Sequence, residues 1–385
     1  MARTYRVISA DGHLEVPPQA WTKYVPEQYR DRAPRLVNLP GGGQGVTAEN
    51  KPVMDPGRLY AGKKHFQIRN VPYLDERGNP KPGTGSAAQR LREQDEDGVD
   101  AEVLYPSGFF HVIDGITHKP TYLAMIQAYN TFLAEYCSLA PDRLIGCALM
   151  PSSGIADAVA ELRRARELGL RAMCPGVFPN GSGNPKPEDD AFWEASLSLK
   201  MPIAPHINIG PWQAPSIESV PLDKAHFATA LCGRVDVRYL YGPAQMIVAG
   251  VFDRFPELEM YIAETYASWL PLYTYFMDEN YALYTKSFNS TLAMKPSEYI
   301  RKHFYWGIIV DPTVMQMRDL LPADRLMWGS DFPHAVGSWP DSTKYLDGLF
   351  KDTPPSLRRK ILIDNPAQFF GLDTERPLTP TPARG

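Results

Sequence analysis

The chain has 385 residues, 44% hydrophobic and 22% charged, ordinary globular proportions that exclude a disordered or fibrous architecture. A formal net charge of −4 and a pI near 6.1 argue against nucleic acid or an anionic membrane as partner. Four cysteines (Cys137, Cys147, Cys174, Cys232) without a CxxC spacing exclude a disulfide scaffold, and 37 prolines, against a usual share of about 5%, demand many shaped loops.

The N-terminal stretch has no apolar signal core, and no run nears the roughly 18 apolar residues of a membrane span. The composition reads as a soluble cytoplasmic enzyme with reduced, buried thiols.

In chain order, short apolar runs alternate with amphipathic stretches. Tyr5–Ser9 is the first strand candidate, followed by an insertion at 14–86 rich in Pro, Gly and Arg. A helix is predicted over Ala87–Asp97, then strand Ala101–Tyr105, helix Tyr122–Leu139 and strand Leu144–Met150. In the next helix, Ile155–Leu168, Val159, Leu162, Ala165 and Leu168 recur at three- or four-residue spacing, and Gly169 marks its end. Strand Arg171–Cys174, helix Asp189–Leu199 and strand Pro202–His206 precede a second insertion, 207–236. Helix Gln245–Phe252, strand Glu259–Ala263, helix Trp269–Tyr284, strand Phe304–Ile309, helix Pro312–Leu321, strand Arg325–Gly329 and helix Asp341–Phe350 complete the series.

Eight such alternations predict an α/β fold, a (β/α)8 TIM-type barrel occupying residues 1–375 as one domain. The insertions after strands 1 and 5, 14–86 and 207–236, would then be ordered lids over the mouth or, failing that, an oligomerisation arm. Residues 376–385 are expected to be a flexible tail or an arm onto a neighbour. An open doubly wound sheet is the rival, but no GxGxxG follows the first strand.

The chemistry-bearing residues gather at strand ends. Asp11 and His13 lie just beyond the first strand, on one face of extended chain. His206 ends the fifth strand, Glu264 the sixth, and Asp331 the eighth, in Gly329-Ser330-Asp331-Phe332-Pro333-His334. Buried ionisable groups in such a place are costly unless paired or metal-bound, and carboxylates with imidazoles suit Zn, Mn or Fe. Each residue alone could equally be a satisfied hydrogen-bonder at the rim. Glu15 is either a further ligand or partner or a solvated loop carboxylate. His111, Tyr105 and Trp212 are candidate substrate contacts. Lys63, Lys64 and Arg69 could meet an anionic substrate, while His65, His118, His226 and His303 read as ordinary polar residues.

These motifs, with Leu91–Ala101, Ala140–Leu144 and Phe255–Leu258, make the chain resemble the amidohydrolase superfamily from Val7 to about Phe370. The branch it is most similar to is the one around aminocarboxymuconate-semialdehyde decarboxylase. The resemblance implies that Asp11, His13, His206 and Asp331 hold at least one divalent metal. It also implies two departures: Glu264 stands where the decarboxylases have a proton-handling His, and His334 where an aromatic is common. Six candidate ligands (Asp11, His13, His206, Glu264, Asp331 and His334) resemble a small offshoot of dinuclear non-haem iron oxygenases.

Three readings follow. The lead is a dinuclear Fe or Fe/Mn monooxygenase that uses O2 to hydroxylate a small carboxylate or acyl thioester. The alternative is a mononuclear Zn or Mn hydrolase, or a non-oxidative decarboxylase of a small carboxylic acid, with Asp331, Glu264 and His206 as the catalytic groups. The third is a metal-stabilised, non-catalytic partner of an active paralogue. A homodimer or higher oligomer is expected, with a heteromer as the other arrangement.

Overall fold

The computed structural model describes residues 3–38, 44–49, 73–75, 77–106, 113–207, 209, 238–286 and 291–383. Strand β1 (Ile8–Leu14) is followed by β2 (Arg35–Asn38) and β3 (Gln44–Thr47), an antiparallel pair inside the first insertion. Then come β4 (Ala101–Pro106), β5 (Leu144–Leu149), β6 (Ala172–Cys174), β7 (Met260–Ile262), β8 (Phe304–Ile308) and β9 (Leu326–Trp328). Parallel pairing runs β1-β4-β5-β6 in one sheet and β7-β8-β9 in another.

Single parallel bridges join the two sheets into a ring. Ile203 bridges Met173 on one side and Met260 on the other, and Gly12 bridges Phe332 beyond β9. The expected eight-strand barrel therefore closes, with the Pro202–His206 segment as its fifth stave. That stave forms no continuous ladder because Pro202 and Pro205 have no N–H to donate. Their carbonyls still accept, from Met173 N at 3.1 Å and Ala263 N at 3.0 Å.

Most helices fall where the periodicity places them: Ala87–Asp97, Lys119–Cys137, Ile155–Glu167, Asp190–Leu199, Leu270–Tyr284 and Ser342–Leu349. The helix expected from Tyr122 begins at Lys119, because Pro120 sits in the first turn, where its missing N–H costs nothing. Leu162 and Ala165 are fully buried, but Leu168, expected on the same stripe, is an exposed C-cap.

Three expectations change. The first strand is Ile8–Leu14 rather than Tyr5–Ser9, so Asp11 and His13 lie within it, not beyond it. The Gln245–Phe252 helix is two pieces, Arg238–Val248 and Val251–Arg254, broken at Gly250. Pro312–Leu321 is a succession of turns. Its hydrogen bonds mix acceptors three and four residues back, as where Met317 N reaches both Thr313 O and Val314 O, each at 3.2 Å.

The described part of the first insertion packs on the core through Trp21, Val25, Val46 and Ala48. The second insertion lies almost wholly outside the described residues. The segment expected to be a flexible tail is bonded to its own barrel as far as Thr381. Leu378 is buried and its N–H donates to Arg3 O, while Thr379 N donates to Asp142 Oδ2 at 2.6 Å. Cys137, Cys147 and Cys174 are free and buried. No helix among the described residues is long and apolar enough to cross a membrane.

Candidate metal centre

All six candidate ligands converge at one end of the barrel. Asp11 and His13, two residues apart on β1, are both buried, and His13 pairs in register with Tyr105 of β4. Opposite, His206 closes the fifth stave, Glu264 follows β7 and Asp331 follows β9. Glu264 and Asp331 have φ of 54° and 55°, and Ile207, next to His206, has 66°. Left-handed backbone is costly for residues with a Cβ and persists only where the surroundings over-determine it. Three strand ends around one site carry that strain.

Imidazoles and carboxylates crowd together there. His206 Nε2 lies 3.0 Å from Glu264 Oε2 and 3.6 Å from Asp11 Oδ1. His13 Nε2 lies 3.3 Å from Asp331 Oδ1 and 3.6 Å from Asp11 Oδ1. His334 stacks on His13 at 3.9 Å between ring centres, with Nδ1 2.8 Å from Asp331 Oδ1 and Nε2 3.3 Å from Glu15 Oε1. Two overlapping sets place one donor atom from each residue within 4.8 Å of the others. One is Asp11, His13, His206 and Glu264; the other is His13, Glu264, Asp331 and His334.

Electrostatics separate the two stacked histidines. Burial, together with the nearby His334 and His206, pushes His13 down to about 4, so it is a neutral donor at physiological pH. Burial also opposes charge on His334, but the carboxylates of Asp331 and Glu15 outweigh it and lift His334 to about 10. The same two imidazoles hold the Asp331 carboxyl well below its ordinary value despite its burial.

Both oxygens of Asp11 and His13 Nε2 are buried without a well-formed hydrogen bond. Orphaned polar atoms of this kind are rare and point to an ion or ordered group. Oxygen and imidazole donors without thiolate suit a divalent cation such as Mn, Fe or Zn, so the residues fit a metal.

Tyr105, expected to touch substrate, is buried with its ring 5.1 Å from that of His206. His111 and Trp212 lie outside the described residues, as do Lys63, Lys64, His65, Arg69 and His226. Glu15 is buried rather than solvated. His118 bonds Thr121 Oγ1 and His303 bonds Leu258 O, and neither belongs to a donor set.

The sequence reading passed over Arg90, Glu102 and Ser330, which lie against the ligand-bearing backbone. Arg90 Nε donates to Glu102 Oε2 at 2.7 Å, and both are buried. The signal was there: Glu102 interrupts an otherwise apolar strand run, where an unpaired carboxylate has no place.

Residues 79–372 match the Amidohydrolase family model. The 2-amino-3-carboxymuconate-6-semialdehyde decarboxylase of Dictyostelium discoideum is 25% identical over 290 residues, 74% of this chain and 77% of that protein. Among solved structures, an amidohydrolase from Mycobacterium avium subsp. paratuberculosis superposes with a TM-score of 0.71 at 20% identity, covering 96% of this chain and all of that one. The 5-carboxyvanillate decarboxylase of Novosphingobium aromaticivorans, complexed with manganese and a nitrobenzoic acid, gives 0.62 at 20% identity, covering 74% and 80%.

Proposed function

This chain belongs to the amidohydrolase family, and from that premise we propose that it is a metal-dependent, non-oxidative decarboxylase of a small carboxylic acid. The observation that carries the reading is the division of the centre into two chemically different halves. Asp11, His13, His206 and Glu264 form a donor set for one divalent ion, and the manganese bound by the Novosphingobium aromaticivorans decarboxylase supports assigning that metal here. Beside it, Asp331 and Glu15 keep a proton on His334. The long match to a decarboxylase supports the same chemistry.

Decarboxylation breaks the bond to the carboxyl carbon, releases CO2 and requires a proton at the carbon left behind. Asp11, His13, His206 and Glu264 would hold a divalent ion, and when bound it would supply positive charge to position the substrate carboxylate. Glu264 replaces the histidine that the resemblance leads one to expect, and its carboxylate lies against His206. We assign the proton to His334: its Nδ1–H faces Asp331 Oδ1, which would take the proton and pass it to the carbon left behind, while Glu15 orients the ring through Nε2. Tyr105 walls the pocket next to His206. A cytoplasmic location and a homo-oligomeric state are part of this proposal.

A second reading, the dinuclear Fe or Fe/Mn oxygenase, is favoured by one observation: the second donor set, which shares His13 and Glu264 with the first. Four buried carboxylates (Asp11, Glu15, Glu264, Asp331) also carry enough charge to balance two divalent ions.

Elemental analysis with paired anaerobic assays separates the readings. One ion per chain, with CO2 released anaerobically from a panel including 5-carboxyvanillate and 2-amino-3-carboxymuconate 6-semialdehyde, supports decarboxylation. Two iron or Fe/Mn ions, with substrate-dependent O2 uptake and no anaerobic CO2, would replace it with the oxygenase.

A further inference from the structure

A buried ion pair sits directly behind the ligands and touches the backbone on both sides of them. Arg90, in the helix Ala87–Asp97, donates from Nη2 to Phe332 O at 3.0 Å, and its guanidinium lies 4.4 Å from the centre of the Phe332 ring. The same carbonyl accepts from His13 N at 2.7 Å. Its partner Glu102, on β4, takes Arg90 on Oε2 at 2.7 Å and accepts from Ser330 Oγ on Oε1 at 3.2 Å. Ser330 and Phe332 are the two neighbours of Asp331, so one ion pair grips the chain immediately before and after that ligand.

Glu102 also fixes the other ligand-bearing segment. A Cβ at Gly12, between Asp11 and His13, would lie 2.1 Å from Glu102 Oε1, so this carboxylate is packed flush against the β1 backbone. Asp331 N donates to Asp11 O at 2.9 Å, completing the tie between the two segments. Asp331 is held meanwhile at a φ of 55°, a conformation its own backbone does not favour.

Stability alone does not account for the pair. Arg90 and Glu102 expose 1% and 2% of their surface, and replacing a buried ion pair by apolar residues of similar volume is often neutral or stabilising. What an apolar pair cannot do is donate to Phe332 O while accepting from Ser330 Oγ.

We propose that Arg90 and Glu102 are positioning residues for the metal centre, setting the spacing between Asp331 and the Asp11/His13 pair. The inference rests on the metal reading above but not on which reaction the metal serves.

The test is metal affinity, measured on the full chain by competition between apoprotein and a chelator for Mn(II) and Co(II), with the Co(II) absorption spectrum recorded. In the double variant Arg90→Met/Glu102→Met we expect a folded protein whose melting temperature without metal is at or above wild type. Its affinity should be about ten-fold or more weaker, and its Co(II) spectrum altered. Arg90→Lys, which keeps the charge pair but cannot also reach Phe332 O, should weaken binding by a smaller factor. If the folded double variant binds within two-fold of wild type with an unchanged spectrum, the inference falls. Should the double variant not fold, Arg90→Lys decides alone, and wild-type affinity in it overturns the proposal. Wild-type protein that binds neither ion would overturn the metal reading itself, a different outcome from either.

Discussion

His334 and Asp331 meet Nδ1 to Oδ1 at 2.8 Å, while the far nitrogen of His334 lies 3.3 Å from Glu15 Oε1. An imidazole between two buried carboxylates is either a proton donor held charged or, once stripped of its proton, a metal ligand. It cannot be both at once, and His334→Phe separates the two roles. As donor, its loss leaves one ion per chain and lowers kcat by about 10²–10⁴, the usual worth of general acid catalysis. As ligand, its loss removes an ion. Metal content and kcat measured on the same sample give the answer, and retained activity in the variant would exclude both roles.

Proton release on metal binding gives an independent check. His13 is held at about 4 and is already neutral at pH 8, so taking it as a ligand frees no proton. His334 is held near 10 and is charged at pH 8, so an ion that takes its Nδ1 must displace one. Affinity of a site that uses His334 therefore rises about ten-fold per pH unit below pH 10, and that of a site without it does not gain this factor. Calorimetric titration of apoprotein in two buffers of different ionisation enthalpy counts the protons. We expect none from His334 with a first ion, and about one if a second ion binds.

How much of this was legible beforehand differs by element. Ile155–Leu168 is readable because its apolar spacing matches a helix that buries one face. Pro312–Leu321 also carries apolar residues at helical spacing, yet it forms turns, with its start held by Asp311 Oδ2, which accepts from Ala267 N and Ser268 N. The six candidate ligands could be named because strand ends of a barrel face one mouth, so topology brings them together without any knowledge of side-chain rotamers. Which ligands would pair could not: the stack of His334 on His13, and the sharing of Asp331 between them, depend on a left-handed turn at residue 331 that no local pattern announces. Arg90 and Glu102 were missed because their partner atoms, Phe332 O and Ser330 Oγ, lie more than 200 residues away.

Glu264 is the sharpest departure from the expected pattern, and its substitution has opposite effects with and without metal. Asp11 and Glu264 bring two buried carboxylates within 4.8 Å of one another, so negative charge on both is opposed there when no ion is bound. Glu264→Gln removes one of those charges and should leave the melting temperature of the apoprotein unchanged or raised. The gain in melting temperature on adding Mn(II) should shrink, because it scales with ligand occupancy and affinity. Calorimetric scans with and without Mn(II) read both. A variant that keeps the full wild-type gain would remove Glu264 from the donor set.

The last prediction concerns the C-terminal strap. Leu378 is 8% exposed and packs in the main core cluster, and Thr379 and Thr381 bond to Asp142 and to Arg143 Nη1 at 2.6 and 2.7 Å. Arg143 is fully buried and also donates to Asp100 O at 2.9 Å and Asp95 Oδ1 at 2.7 Å, so the strap helps cover a charged group that ties helix Ala87–Asp97 to β5. Removing residues 376–385 exposes that group and uncovers the apolar surface under Leu378. Burying a leucine is worth about 1.5–3 kcal/mol, and the lost hydrogen bonds add about 1 kcal/mol each. Truncation should therefore lower the melting temperature by several degrees. The strap docks just before β1 and β5 begin, and the candidate ligands lie toward the other end of the barrel, so metal affinity should stay within two-fold of wild type. A truncated protein that melts with the full-length chain would show that the strap adds nothing to stability, and one that loses metal affinity would show that its docking reaches through the barrel to the centre.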